Sequence, residues 1–270
     1  MWETGLSTCG KAFGEKLFAD YAAAGIKYME ISYGKDICDR FDFALAKKYA
    51  DAYGVALWSF HLPFMPFFKI DISSPLLAKK SVNYLSELIK KGANGGIEKF
   101  IIHSSGEPIA PFDRAGRMAT AKESLRKLNE AAKNCGAVLC VEDLPRTCLG
   151  RDSADILELL SAAPELRVCF DTNHLLRESI PVFIRAVGEK IVTLHVSDYD
   201  FLDEKHWLPG EGKINWNELI EELKAVGYNG PWLYEVGYKA PSTMPRERDL
   251  NAADFAENRN KFDSSRIYGE

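Results

Sequence analysis

The histidines of this chain and several of its carboxylates stand at the ends of short apolar runs or in the loops that follow them. The histidines are His61, His103, His174, His195 and His206. The carboxylates in such positions are Glu30, Glu142, Asp171 and Glu235. Imidazole nitrogens and carboxylate oxygens bind divalent cations and exchange protons, so this set predicts metal or acid–base chemistry wherever the fold gathers it.

Eight apolar runs alternate with amphipathic segments along the whole chain, and they predict the strands that position these residues. The predicted strands are Trp2–Ser7, Tyr28–Ser32, Ala56–Phe60, Lys99–His103, Val138–Glu142, Arg167–Asp171, Ile191–His195 and Trp232–Glu235. The predicted helices are Lys16–Ala24, Phe41–Tyr53, Leu76–Lys91, Ala115–Asn134, Ala154–Ala162, Pro181–Val187, Trp216–Val226 and Ala252–Phe262. Runs such as VTLHV and KFIIH are apolar on both faces, which favours parallel strands covered by helices. We expect an α/β fold, a (β/α)8 TIM barrel, as a single domain over residues 1–270.

An open, doubly wound sheet is the alternative arrangement of such units. It is disfavoured because no G-x-G-x-x-G sequence follows the first strand and because polar residues end too many strands. In a closed parallel barrel all strands end at one rim, so residues far apart in sequence converge there. Helix-end signals agree with this division of the chain, and they are Gly25, Gly54, Gly136, Gly227 and Asn215.

Several carboxylates gathered at one rim need a compensating charge. Burying them together is costly unless a cation or a proton neutralises them, and a shared metal ion is the simplest compensation. An oxygen-rich set with one imidazole suits Mn²⁺, Mg²⁺ or Co²⁺, and Zn²⁺ also accepts it. The sequence therefore predicts one divalent metal ion without choosing among these four.

Composition argues against several other classes of protein. A net charge of -5 gives no general affinity for nucleic acid or for an anionic membrane. The six cysteines form no C-x-x-C pair, and Cys140 and Cys169 lie in apolar runs as small buried residues. No signal peptide is visible, and no apolar run reaches the roughly 18 residues that a membrane span needs. We expect a cytoplasmic protein with neither nucleic-acid nor membrane partners.

Five motifs resemble those of the xylose-isomerase-like barrel superfamily, which includes ketose 3-epimerases, hydroxypyruvate isomerases, inosose dehydratases and endonuclease IV. The motifs are VEDLP with Glu142, CFDTNH with Asp171 and His174, LHVSD with His195, HWLPGEGKINW from His206 to Trp216, and LYEV with Glu235. Their most specific part is the D-x-x-H of strand six followed by the P-G-x-G of loop seven. The resemblance runs from the first strand to Glu235 and implies the same barrel.

The resemblance also implies roles for individual residues. By position, the metal ligands of the epimerase branch match Glu142, Asp171, His195 and Glu235. The two glutamates among them would also be catalytic, since in that branch they exchange protons with the substrate. The substrate-binding candidates are His174, which matches a histidine on the substrate oxygens, and His61, His103, His206 and Trp207. The epimerases usually carry an arginine six residues after the strand-seven histidine, where this chain has Phe201.

Aromatic residues follow the same strands and could wall the apolar face of a sugar. They are Trp58, Phe60, Phe64, Phe67, Phe68, Tyr199 and Trp207. The segment HLPFMPFF after the third strand is unusually apolar for a loop, which is typical of a lid or a subunit contact.

The expected activity is isomerisation or epimerisation of a small-molecule sugar or polyol. A metal ion would polarise a carbonyl, one glutamate would remove the neighbouring proton, and the other would return one to the enediolate. Three alternatives stay open: an inosose-type dehydratase with the same site, an endonuclease IV-like trinuclear zinc phosphodiesterase, and a non-catalytic sugar-binding barrel. Against the phosphodiesterase, Glu204 and Lys205 precede His206 where that enzyme has an Asp-x-His pair. A homo-oligomer also stays open, since relatives are often dimers or tetramers.

Overall fold

Eight parallel strands form the centre of the molecule. The computed structural model describes residues 2–64, 69–242 and 246–263. The strands are β1 (Thr4–Ser7), β2 (Tyr28–Ser32), β3 (Ala56–His61), β4 (Lys99–His103), β5 (Val138–Glu142), β6 (Arg167–Asp171), β7 (Ile191–His195) and β8 (Trp232–Tyr234). All eight predicted strands are present, and their ends differ from the prediction by at most two residues.

The strands close into a ring. They pair in the order β7-β6-β5-β4-β3-β2-β1-β8, and every pair is parallel. The two ends of this sheet meet just beyond β7. There Val196 N–H donates to the Leu233 carbonyl at 2.8 Å, and Glu235 N–H donates to the Val196 carbonyl at 3.1 Å. The predicted (β/α)8 TIM barrel of one domain is confirmed.

Helices cover the outside of the barrel. Those of the described residues are α1 (Glu15–Ala23), α2 (Lys35–Cys38), α3 (Phe43–Tyr53), α4 (Ala78–Asn94), α5 (Arg114–Asn134), α6 (Ser153–Leu160), α7 (Ile180–Val187), α8 (Trp216–Ala225) and α9 (Ala252–Asp263). The prediction began the second long helix at Phe41. It begins at Phe43 instead, because the Asp42 carboxylate accepts the Leu45 N–H at 2.9 Å and caps the helix there. The four-residue helix α2 was not predicted, since one turn is too short to show a period.

The predicted helix-end signals are confirmed. After their helices, four glycines have φ between 65° and 76°, a region that residues with a Cβ rarely adopt: Gly25, Gly54, Gly136 and Gly227. The Asn215 side chain accepts the Glu218 N–H at 3.3 Å and caps α8. These caps stop each helix where the chain must turn back towards the next strand.

Alternation along the strands decides which side chains reach the rim. Inside the barrel, Ile101, Cys140 and Cys169 form a small, fully buried apolar cluster. Side chains two positions further along the same strands share that face and lie one layer nearer the C-terminal end. Those residues are His103, Glu142 and Asp171. An apolar layer therefore lies directly beneath the polar rim.

Two predictions drawn from composition can be compared with the structure. Cys140 and Cys169 are buried free thiols, as expected for small core residues. Within the described part of the chain, no helix is both long enough and apolar enough to cross a membrane.

Candidate metal centre and substrate pocket

The four side chains proposed as metal ligands meet at the C-terminal rim of the barrel. His195 Nδ1 lies 2.9 Å from Glu142 Oε1, 3.2 Å from Glu235 Oε2 and 4.0 Å from Asp171 Oδ2. One ligand atom from each of the four lies within 4.8 Å of the other three. They come from the ends of β5, β6, β7 and β8, so the parallel register alone brings them together.

The donor set fits a divalent cation. Asp171 is fully buried, and its Oδ2 has no hydrogen-bond partner. Burial is the main reason that the pKa of Asp171 rises to about 6. Burial would also raise the pKa of Glu142, but His195 and His103 hold it well below its usual range. Carboxylates buried this closely, one of them with an unpartnered oxygen, need a positive charge among them.

Glu30 fixes the orientation of the His195 ring. His195 Nε2–H donates to Glu30 Oε2 at 3.0 Å, and the Ser59 hydroxyl donates to the same oxygen at 2.7 Å. Glu30 and Ser59 are register partners on β2 and β3, and both are fully buried. Because Nε2 is engaged, Nδ1 is left facing the three carboxylates, as in a carboxylate–histidine–metal arrangement. The sequence placed Glu30 at the rim but gave no sign of this role.

His61 and His103 hold the second oxygen of Glu142. Their Nε2 atoms lie 3.0 Å and 3.1 Å from Glu142 Oε2, and His61 Nδ1–H donates to the Leu62 carbonyl at 3.1 Å. Burial opposes protonation of His61, but the hydrogen bond with Glu142 and nearby carboxylates raise its pKa to about 9. Burial lowers the pKa of His103. These three residues form a second cluster of potential ligand atoms.

A third cluster joins His174 with two residues of the loop after β7, Glu204 and His206. His174 Nδ1–H donates to the Asp143 carbonyl at 2.8 Å, and its Nε2 lies 3.6 Å from Asp171 Oδ2. His206 Nδ1–H donates to the Glu235 carbonyl at 3.1 Å, and its Nε2 lies 3.5 Å from Glu204 Oε1. The change from Asp-x-His to Glu-x-His therefore keeps an acidic partner beside His206.

The P-G-x-G motif shapes the loop that carries His206. Asp198, fully buried after β7, accepts the N–H groups of Tyr199 and Ile214 on Oδ1 and those of Gly210 and the Trp216 indole on Oδ2, at 2.8 to 3.1 Å. At Gly212 a Cβ would lie 2.2 Å from Asp198 Oδ1, so the loop closes over this carboxylate only with glycine there. Loop seven is thus wrapped around one buried acid.

A pocket of about 460 Å³ opens above these clusters. Its lining residues are Cys9, His61, Phe64, His103, Ser105, Gly106, Glu107, Glu142, Leu144, Pro145, Arg146, Cys148, His174, Glu204, His206, Glu235, Val236 and Gly237. Four of the five substrate-binding candidates are among them. Trp207 is not; it pairs with Asp198 through two backbone hydrogen bonds and so supports the loop. Glu107, Arg146 and Glu204 were missed as lining residues because nothing in the strand pattern marks them.

Among the described aromatic residues proposed to wall a sugar, Phe64 is the one that lines this pocket. Its ring stacks on His103 with 3.5 Å between ring centroids. Trp58 lies towards the other end of the barrel, where Lys99 Nζ lies 3.7 Å from the centroid of its ring. Phe60 packs on Phe100 outside the barrel, and the Tyr199 hydroxyl donates to the Leu175 carbonyl. Phe67 and Phe68, with Met65 and Pro66 of the same apolar segment, lie outside the described residues.

Residues 18–257 match the sequence profile of the xylose isomerase-like TIM barrel family. The chain belongs to this family. The resemblance found in the motifs of the rim is therefore confirmed over almost the whole chain.

The proteins that this chain resembles include sugar epimerases. Fructoselysine 3-epimerase of Escherichia coli O157:H7 is 31% identical over 146 residues, and the match covers 52% of each protein. The chain thus spans about half the length of that curated relative. A structure of D-psicose 3-epimerase in the presence of D-fructose superposes over 98% of both chains with a TM-score of 0.79 and 21% identity.

A second kind of enzyme shares the fold. AP endonuclease, family 2, from Brucella melitensis has a TM-score of 0.72 and 16% identity, covering 87% of this chain and 92% of that one. At such identities a structural likeness shows the fold alone, so the site itself must distinguish the two activities.

Proposed function

We propose that this protein is a divalent-metal-dependent epimerase or isomerase of a ketose or related polyol. The observation that carries the proposal is the convergence of Glu142, Asp171, His195 and Glu235 within 4.8 Å at the floor of a pocket. The sugar epimerases among its relatives support the same class of reaction. Mn²⁺, Mg²⁺, Co²⁺ and Zn²⁺ all suit such a donor set.

The chain's own groups account for the proton transfers. A cation held by the four ligands would polarise a substrate carbonyl and acidify the neighbouring C–H. Glu235 lines the pocket and keeps 12% of its side chain exposed, so its carboxylate can take or return a proton there. Glu142 stands three strands away in the ring and offers the second carboxylate from another side. Two carboxylates on different sides permit removal from one face and delivery to the other.

The pocket favours an unphosphorylated substrate. Arg146 supplies the single lysine or arginine side chain in the described lining, and its guanidinium is already bound by Glu107, Asp203 and Glu204. A phosphate entering this pocket would meet carboxylates and no unpaired lysine or arginine of the described lining. Neutral hydroxyl groups would instead find histidine and glutamate partners on several sides.

Replacement of Glu235 by glutamine tests the proposal. We expect Glu235→Gln to abolish metal-dependent exchange of substrate hydrogen with solvent deuterium, since the amide cannot accept the proton. Circular dichroism and the melting temperature should stay near those of the unchanged protein. The matched control is Glu221→Gln, a 72% exposed glutamate on α8, which should keep full activity. Full exchange activity in Glu235→Gln would overturn the assignment.

A second candidate is a trinuclear zinc phosphodiesterase, and the observation favouring it is that the groups of potential ligands at the rim include the three clusters described above. Glu142 belongs to both of the first two, and His174 of the third lies beside Asp171. The net charge of -5 and the acidic pocket disfavour a phosphodiester substrate. Metal analysis of zinc-loaded protein separates the two: close to three ions per chain supports the phosphodiesterase, and a single ion supports the epimerase.

A further inference from the structure

Arg146 lies at the mouth of the pocket and takes no part in the proposed metal centre. It belongs to the loop after β5, and its backbone has φ 54°, in the left-handed region. Glycine adopts this conformation without strain, whereas a residue with a Cβ does not. An arginine at such a position is explained if its side chain is needed there.

The guanidinium of Arg146 joins three loops of the rim. Its Nε and Nη2 donate to Glu107 Oε1, in the loop after β4, at 2.8 Å and 2.5 Å. Its Nη1 donates to Asp203 Oδ1, in the loop after β7, at 2.7 Å. Its Nη2 also lies 2.7 Å from Glu204 Oε2 in that loop. A planar fork of five donors can satisfy three carboxylates in one fixed geometry, which a lysine ammonium cannot.

Through Glu204 this arrangement reaches the interior of the pocket. Arg146 binds Oε2 of Glu204, which leaves Oε1 turned to His206 Nε2 at 3.5 Å. The other ring nitrogen of His206 donates to the Glu235 carbonyl, so the imidazole is held at both ends. Arg146, Glu204 and Glu107 are all about one-third exposed, whereas three of the proposed metal ligands are buried and the fourth, Glu235, is 12% exposed. The Arg146 group therefore forms the outer wall of the pocket, above the metal centre.

Phe201 does not take this place. It stands where the epimerase pattern has an arginine, but its side chain is 43% exposed and packs on Tyr199 with 4.5 Å between ring centroids. It is absent from the lining of the pocket, whose residues are all described. A guanidinium does reach the mouth, but it comes from the loop after β5 instead of the loop after β7.

We infer that Arg146 is a positioning residue that sets substrate specificity, by holding Glu204 and His206 to bind the substrate hydroxyls farthest from the metal centre. The inference rests on the proposed sugar epimerase function and names the residue that shapes the outer half of its substrate site. Because Arg146 acts through Glu204 and His206, its loss should weaken substrate binding more than proton transfer. Metal binding, which uses other residues, should not change.

The test compares the metal-loaded full-length variants Arg146→Gln and Arg146→Lys with the unchanged protein. On the best ketose found for the unchanged protein, we expect KM to rise roughly tenfold in Arg146→Gln, as when hydrogen bonds shared by substrate and transition state are lost, with kcat nearly kept. The KM of Arg146→Lys should lie between those of Arg146→Gln and the unchanged protein, since one ammonium group can hold only some of the three carboxylates. The matched control is Arg185→Gln, which removes an arginine, 64% exposed, from its pair with Glu222 on α8.

The other outcomes each overturn a stated part of the argument. Unchanged KM values in Arg146→Gln, with an active parent protein, would overturn this inference and leave the proposed function standing. The inference also fails if kcat falls while KM holds, or if Mn²⁺ affinity falls in a calorimetric titration. A parent protein that turns over no ketose or related polyol, but is fully metal-loaded, would overturn the proposed function itself and this inference with it.

Discussion

At the scale of single residues, His195 is the side chain on which the geometry of the centre depends. Its Nδ1 faces three carboxylates, and its Nε2 is bound by Glu30. If the imidazole ring were flipped, Nδ1 would no longer face the oxygens of Glu142, Asp171 and Glu235. A carboxylate behind a ligating histidine fixes the tautomer and raises the basicity of the nitrogen that binds the metal.

Glu30→Gln should therefore weaken metal binding. We expect the dissociation constant for Mn²⁺ to rise about 10- to 100-fold, the usual effect of removing such an outer partner. The amide can still accept a hydrogen bond but carries no charge. Competition titration with a fluorescent chelator measures the change.

Two further variants serve as comparisons for the Mn²⁺ affinity of Glu30→Gln. Ser59→Ala removes one of the hydrogen bonds to Glu30 and should have a smaller effect, while Glu98→Gln, at an exposed position, should have none. A Glu30→Gln protein that binds Mn²⁺ as tightly as its parent would show that Nδ1 is oriented by other contacts.

At the scale of elements, the loop after β7 depends on one buried acid. Asp198 accepts four N–H groups, and the missing side chain of Gly212 is what allows the loop to close around it. The same loop carries Glu204 and His206 into the pocket. A side chain added at Gly212 should therefore lower both the stability of the protein and its affinity for substrate.

Gly212→Ala tests this dependence. The added methyl group would stand 2.2 Å from Asp198 Oδ1, so the loop must shift, and we expect a loss on the order of 1–3 kcal/mol in unfolding free energy. KM should rise as His206 moves. Gly116→Ala is the control: this glycine lies on α5 with nothing within 4 Å of an added Cβ, and the change should stabilise slightly. A melting temperature for Gly212→Ala equal to that of its parent would contradict the steric argument.

The sequence was most informative for segments whose structure follows from the spacing of their apolar residues. Apolar runs predicted all eight strands, and the shared C-terminal rim of a parallel barrel predicted that Glu142 and Asp171 converge. The conformation of a loop is not encoded in a regular spacing of apolar residues. Nothing in the pattern foretold the positive φ of Arg146 and His206, 54° and 50°, which aim both side chains at the pocket. For the same reason the sequence predicts Trp207, next to His206, as a pocket residue, whereas it is not among the lining residues and pairs with Asp198.

At the scale of the whole molecule, buried carboxylates and histidines are concentrated at the C-terminal end of the barrel. Imidazoles partly compensate the carboxylates in the metal-free protein. Burial opposes the charged form of His61 and of His206, yet hydrogen bonds with Glu142 and Glu204 raise their pKa values to about 9 and about 10. Protonated histidines thus stand in for part of the charge of a cation.

This predicts how the stability of metal-free protein depends on pH. A histidine whose pKa is raised by folding stabilises the protein below its unfolded pKa of about 6.5, and that contribution is lost as pH rises through the folded value. The melting temperature of metal-free protein should therefore fall between pH 6.5 and pH 9 to 10. With Mn²⁺ in excess the fall should be smaller, because deprotonated ligands bind the cation more tightly.

Calorimetry at pH 6 and pH 9, with and without Mn²⁺, measures this effect. His206→Gln removes one of the two groups, so its metal-free melting temperature should depend less on pH. A metal-free melting temperature that rises over the same range would contradict the assignment of raised pKa values.

The seam of the barrel has a consequence for how the chain folds. Strand β8 pairs Trp232 with Thr4, and beyond the end of β7 Glu235 bonds to Val196, so the ring closes only when nearly the whole chain is in place. The proposed ligands His195 and Glu235 stand on either side of that last junction. A bound ion would act there as a noncovalent cross-link, joining the final strand to its neighbour and opposing local opening of the ring where the sheet is shortest.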